Sequence, residues 1–369
     1  MKKVRWKAQS MVLLAAMAAA TGNMALAQGA SDEQPANWRE ANDAVGQFKR
    51  GHADILKWEA QNLKSATPEQ RVPTGFALPT LESAVRAAWK PHLELQKIMA
   101  RLGQGNVDRV ANGQWMDVEA RQQRRIEGLD ELFEVAADAR KAWLMAVAAK
   151  QAVRLQQESL EAAEAATELG RRMVKVGNWS RYQQSRVELG LSSEKRAYQQ
   201  ARLAAAQAEQ ALIKLLGFNG IHQSLQLPDS LPDLPNESIA SDRLTAELQE
   251  ITAQLPVFNQ TKTRINFDLA RGAYLTALDV AQSYRNDVMA QRNLIVDESV
   301  LQYNGMLKSV WELLTEVQGR AQAQRETIDA IRDYWVAETD LLWVLQGGEP
   351  QSFVTPGSPS GADASAAGH

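Results

Sequence analysis

The chain of 369 residues contains no cysteine. That absence excludes disulfides, thiolate metal sites, a cysteine nucleophile and a lipid carried on an N-terminal cysteine. Histidine is scarce, and His52, His92, His222 and His369 show no paired ligand spacing, so no metal site is expected. There is no HExxH, GxSxG or Walker phosphate loop, so the chain reads as a non-enzyme with no catalytic residues and no cofactor. Lys and Arg number 41 against 44 Asp and Glu. No basic excess argues for a nucleic-acid partner. Proline and glycine are also missing over one long stretch. From Val118 to Val176 there is no proline, and glycine occurs only at 128 and 170.

The first 27 residues read as a signal peptide. Lys2, Lys3, Arg5 and Lys7 form a basic start, Met11 to Ala20 is apolar, and Ala25-Leu26-Ala27 fits a cleavage site before Gln28. The apolar run is too short to anchor the chain, since a spanning helix takes about 20 apolar residues. No later segment meets that length either. The mature chain is therefore expected in the periplasm, in contact with the outer membrane at most, without a transmembrane helix.

What is present is helix-forming sequence. Residues 28–117 read as N-terminal helices and loops. They hold a helix over 38–64, a second over 81–102 capped by Thr80 and kinked at Pro91, and a break over 103–113. A long helix is expected over 118–175, about 87 Å at about 1.5 Å per residue. Its seam of Leu132, Ala136, Ala139, Trp143 and Ala146 alternates steps of four and three, the coiled-coil pattern. Gly177-Asn178-Trp179-Ser180 breaks it. A partner helix follows over 180–216, with the stripe Ala201, Ala205, Ala208, Leu212 and Leu215. Residues 218–257 are a proline-rich linker with a short helix over 242–253. A second hairpin is expected over 258–347. Its first helix runs over 261–303, with Ala270, Ala273, Ala277, Val280 and Tyr284 along one side. A turn at Asn304-Gly305 leads to a helix over 307–345, with a seam of Val310, Leu314, Val317, Ala321, Ile328, Ile331 and Trp335. The tail 348–369, rich in Pro, Gly, Ser and Ala, reads as disordered.

The two hairpins match. Each is a long helix, a tight turn, a nearly equal returning helix and a glycine stop, at Gly217 and Gly347. The internal repeat suggests duplication of one unit. With EAAEAATELGRRMVKVGNWS at 161–180, ARLAAAQAEQALIKLLG at 201–217, YRNDV at 284–288, YNGML at 303–307 and RDYWVAETDLLWVLQG at 332–347, the chain resembles the outer membrane efflux protein family, the TolC-like channels. The resemblance covers about half the chain. YNGML and RDYW are similar to a branch associated with metal resistance.

The resemblance implies an all-α bundle of duplicated antiparallel hairpins, with little or no β structure. It implies a homotrimer forming a tube, whose tips meet a periplasmic adaptor protein of an inner-membrane pump in a tripartite export system. The tip positions are Val176, Gly177, Asn178, Trp179 and Ser180 in the first hairpin, and Tyr303, Asn304, Gly305, Met306 and Leu307 in the second. Plain hairpin chemistry accounts for Gly and Asn there equally well. Asp297 and Glu298, two turns above the second tip, could narrow such a tube as an acidic ring, though a solvated helix face is the simpler reading. Arg171, Arg172 and Lys175 suit a helix C-terminus through the macrodipole. The tryptophans at 143, 311, 335 and 343 sit near seam positions, as packing residues do.

One family feature is missing. A membrane strand takes about 9–11 residues of alternating apolar and polar character. Gly103 to Trp115 is too short and too polar for a pair of them. Ile265, Phe267 and Leu269 alternate but continue in helical phase into Ala270 and Ala273. The sequence therefore reads as an efflux component that has lost its barrel. The alternative is a periplasmic scaffold or binding protein derived from the family without transport activity.

Overall fold

The computed structural model describes residues 75–118, 126–218, 220 and 224–355, all within one compact unit that begins at Gly75. The signal region, the helix expected over 38–64, three of the four histidines and the tail beyond 355 lie outside the described residues. The fold is all-α. Its only described strands are β1 (Phe76–Ala77) and β2 (Leu225–Gln226), which pair in parallel. Neither approaches the length of a barrel strand.

Three short helices come first: α1 (Leu81–Trp89), α2 (Leu93–Leu102) and α3 (Gln104–Ala111). Thr80 caps α1, its hydroxyl accepting from the Ser83 amide at 3.1 Å. The expected kink at Pro91 is a full break, because proline denies the helix a donor and clashes with the preceding turn. The break expected over 103–113 is corrected, since α3 occupies most of it. Val107, Val110 and Ala111, spaced three and four, bury against the core, and that packing overrides the weak propensity of glycine and asparagine.

The long helices follow. α4 (Leu129–Lys175) runs 47 residues, about 70 Å. It starts later than residue 118, after a single 3-10 turn at Trp115–Asp117. α5 (Arg181–Leu215) returns beside it. A linker carries α6 (Ser241–Thr252). The second hairpin descends through α7 (Val257–Ser283), a π turn at Tyr284–Val288 and α8 (Met289–Asn304), and returns as α9 (Val310–Val344). α5 and α9 each contain 35 residues, so the returning arms match in length.

The helices pack side by side in the order α5, α4, α9, then α7 with α8. The end opposite the turns, here called the root, holds most of the core. Leu132, Ala136, Ala139, Trp143 and Ala146, the seam expected from spacing, are all buried there, each at most 2% exposed. Burying each Leu or Trp removes apolar surface at about 25 cal/mol per Å². The indole N–H groups find carbonyls: Trp89 at Leu132, Trp115 at Val110 and Trp143 at Leu78. The root half of α9 is buried on two sides, with Ile328 and Val336 toward the α4 cluster and Tyr334, Ala337 and Leu341 toward α7. Toward the turns the packing thins. Along α5 only Leu212 and Ile213 are buried, and along α8 only Val296 and Ser299.

Candidate functional site

The two turns lie at one end of the bundle and share one architecture. At the end of α4 the Gly177 amide donates to Val174 O at 3.0 Å and the Asn178 amide to Met173 O at 2.9 Å. This paired closure places Gly177 in the left-handed region, at φ +81°. Ser180 then caps α5 in a reciprocal box, with its hydroxyl accepting from the Gln183 amide and Gln183 Oε1 accepting from the Ser180 amide.

The second turn repeats this pattern with different residues. Met306 N donates to Tyr303 O at 3.0 Å and Leu307 N to Gln302 O at 2.8 Å. Ser309 caps α9, and Glu312 closes the box. The left-handed position, however, is held by Met306, at φ +60°, and not by Gly305. Spacing alone assigns the turn to Asn304-Gly305. The structure moves its strained position one residue on, onto an exposed methionine. The helix expected from 307 accordingly begins at Val310. Hydrogen bonds from the Ser309 amide and hydroxyl, with Lys308 nearby, hold the Glu312 carboxyl below its ordinary range.

The turns are locked together. Trp179, just before the first cap, stacks on Trp311 of α9 with ring centroids 4.0 Å apart and planes at 31°. Gly170 of α4 sits beneath the pair. A Cβ there would lie 3.1 Å from Trp179 Cζ3 and 3.8 Å from Trp311 Cη2. Glycine at 170 allows this close approach, and a Cβ would press on the Trp179 ring. The two tryptophans hold different places relative to their caps, one before Ser180 and one after Ser309. Matching the repeats could not pair them.

Around this lock the turns present apolar side chains to solvent: Val176 is 68% exposed, Met306 94% and Leu307 81%. Asn178, Ser180, Asn304 and Gly305 are exposed as well, while Tyr303 is half-buried. Asp297 and Glu298 are both exposed on α8. They are adjacent in sequence and so about 100° apart around the helix. Asp297 faces Arg320, whose pKa burial pushes down against the pull of Asp297 and Glu158. Further up, buried Gln156 of α4 donates to Glu194 of α5 and accepts from Arg325 of α9, a polar layer across three helices.

The outer edges of the packed row are open. α5 packs along its length on α4, and α7 with α8 on α9. Tyr182, Leu189 and Leu203 are exposed on α5 at multiples of seven residues. Ile265 and Leu269 on α7, and Leu294 and Leu301 on α8, are exposed on the opposite edge element. Among the described residues, one group of ligating side chains comes together, His92, Glu94 and Glu131, with atoms within 4.8 Å of one another. It lies among α2 and the start of α4, away from the turns. No helix among the described residues is long and apolar enough to cross a membrane.

No protein-family model matches the chain, and neither does any curated protein. Among solved structures, it is similar to CusC, solved in work on conformational changes accompanying folding and transmembrane channel formation. Identity is 14% and the TM-score 0.45, over 74% of this chain and 97% of that one. It is also similar to the Campylobacter jejuni CmeC outer membrane channel, at 15% identity and a TM-score of 0.44, over 67% of this chain and 68% of the other. A third similarity is to a membrane protein from Pseudomonas aeruginosa, at 13% and 0.47, over 66% and 72%. At scores below 0.5 the function has to be argued from the chain's own geometry.

Proposed function

We propose that this protein is the periplasmic helical part of a tripartite efflux system, docking a periplasmic adaptor through its paired turns. The observation that carries the reading is the turns themselves. Two capped tips are held side by side by Trp179 and Trp311, and they expose Val176, Met306 and Leu307. An ordinary hairpin has no use for a solvent-facing methionine in a left-handed conformation. Strain of this kind is retained where the side chain has work to do.

The open edges support assembly into a ring. The apolar residues on α5 and those on α7 and α8 belong to different faces. Copies would therefore join head to tail, and such contacts close into a ring when the rotation allows. A homotrimer is the assembly we propose, with metal ions or toxic compounds as cargo and an inner-membrane pump as the energy source. Localisation is periplasmic, against the outer membrane. The described residues hold no strand of barrel length, so the outer-membrane pore would come from elsewhere in the assembly.

The absence of cysteine makes the test clean. Single cysteines at Leu189 and Ile265 in one chain are expected to form disulfide-linked multimers ending at a trimer, and a photoreactive residue at Met306 to cross-link a protein carrying a helical hairpin and an inner-membrane anchor. Only monomers, and no adaptor cross-link, would favour the scaffold reading without transport.

A further inference from the structure

At the root, away from the turns, α4, α9, the N-terminal part of the fold and the proline-rich linker line an open cavity of about 540 Å³. That is within the range of small-molecule sites, roughly 300–1,000 Å³. Trp143, Trp335, Pro79, Pro228 and Pro232 make apolar walls. Both indole N–H groups are already satisfied, Trp143 by Leu78 O and Trp335 by Pro232 O, so the rings offer the cavity only their apolar surface. Thr80, Asn112 and Ser230 at its lining are exposed and mark an opening to solvent.

The lining carries two carboxylates, Glu82, which is paired with Arg86, and Glu338, and one cation, Arg140, whose setting is unusual. Arg140 is only 3% exposed. Its guanidinium has five N–H donors, yet its contacts are few and long: Nε to Thr339 Oγ1 at 3.4 Å and Nη2 to Glu338 Oε2 at 3.5 Å. A charge-assisted hydrogen bond is normally about 2.7–2.9 Å. Nη1 lies against Gly113, where an added Cβ would come within 2.5 Å of it. Glu338 is itself engaged by the Tyr334 hydroxyl at 3.3 Å, and burial raises its pKa against the pull of Arg140. A buried guanidinium with spare donors beside an open cavity calls for an acceptor with two oxygens, the fork that a carboxylate matches.

We infer that this cavity binds a small organic carboxylate with a flat apolar body, its carboxylate on Arg140 and its body between Trp143, Trp335 and the three prolines. The apolar walls disfavour inorganic phosphate or sulfate, which would lose hydration without gaining contacts. The inference is independent of the proposed export role.

Calorimetry on the full exported chain tests it with 2-naphthoate, and with 2-naphthamide as the neutral analogue. Naphthoate is expected to bind at one site per chain, at least about tenfold tighter than the amide, with quenching of tryptophan fluorescence. Two variants locate the site. Arg140→Gln combined with Glu338→Gln removes both charges together, and Ser230→Trp obstructs the opening without touching the arginine. Both should abolish the preference while circular dichroism stays helical. Equal binding of acid and amide, no binding to the wild-type chain, or naphthoate binding unchanged in Ser230→Trp would overturn the inference.

Discussion

Replacing Met306 by glycine separates the fold's interest from the tip's function. Met306 sits at φ +60° with 94% of its surface exposed, so the side chain contributes almost no packing within the chain. A left-handed conformation costs an L-residue roughly 1–2 kcal/mol, and glycine removes that strain. Glycine also frees the unfolded chain, which offsets about 0.4–1 kcal/mol. The net expectation for Met306→Gly is a gain of about 0.5–1 kcal/mol. For a domain of this size that corresponds to a rise in Tm of roughly 1–4 °C. Adaptor docking should move the other way. Losing a side chain that is buried on docking costs about 1.5–3 kcal/mol, a fall in affinity of at least tenfold. Thermal unfolding and quantitative cross-linking at Val176 report the two effects separately. A lowered Tm would refute the strain argument, and unchanged docking would refute the tip assignment.

Three further outcomes follow from the geometry. Trp179→Ala should cost about 1–2 kcal/mol through the lost stack and its area, and should speed amide exchange at residues 176–183 more than at the root. Gly113→Ala places a Cβ 2.5 Å from Arg140 Nη1 at φ +80°. A loss of roughly 1–2 kcal/mol is expected in urea unfolding from the left-handed backbone alone; a larger loss would mean that the buried guanidinium cannot swing aside, and no loss would refute the strain. Glu338 has its pKa raised by burial, against the pull of Arg140. The folded chain therefore holds that proton above the unfolded value of 4.5. This contribution to stability is complete below that value and is lost as pH rises through the folded pKa. Comparing urea unfolding at pH 4 and pH 7, Glu338→Gln should remove that part of the slope, and an unchanged slope would show that Glu338 does not carry it.

Much of this architecture is legible in the residues, for identifiable reasons. The seam of Leu132, Ala136, Ala139, Trp143 and Ala146 is buried because α4 presents one face to a packed core, and periodicity reports one face well. The seam assigned to α9 fares worse. Near the root that helix is packed on two sides, and Tyr334, Ala337 and Leu341 form a second stripe, spaced three and four, beside the assigned seam. α3 escapes notice because its helix depends on burying Val107, Val110 and Ala111 and not on propensity. The turn region was locatable from Gly177 and Asn304-Gly305. Its inner workings were not, because the strained Met306 and the stack of Trp179 on Trp311 depend on backbone closure and on contact between distant segments. The cavity at Arg140 is hidden for the same reason, since its walls come from five separate stretches of chain.

The order of the packed helices also has a consequence in time. α4 meets α5 across a short separation, as in the contact of Gln156 with Glu194, 38 residues away. It meets α9 through partners much further along the chain, 169 residues on for Gln156 with Arg325 and 199 for Arg140 with Thr339. Nearby contacts form early and distant ones late. A chain folding from its N-terminus would complete the first hairpin while the face of α4 that α9 will cover is still bare. For that interval Gln156 lacks its arginine, Gly170 lacks Trp311 above it, and the newly made hairpin is most exposed to a wrong partner.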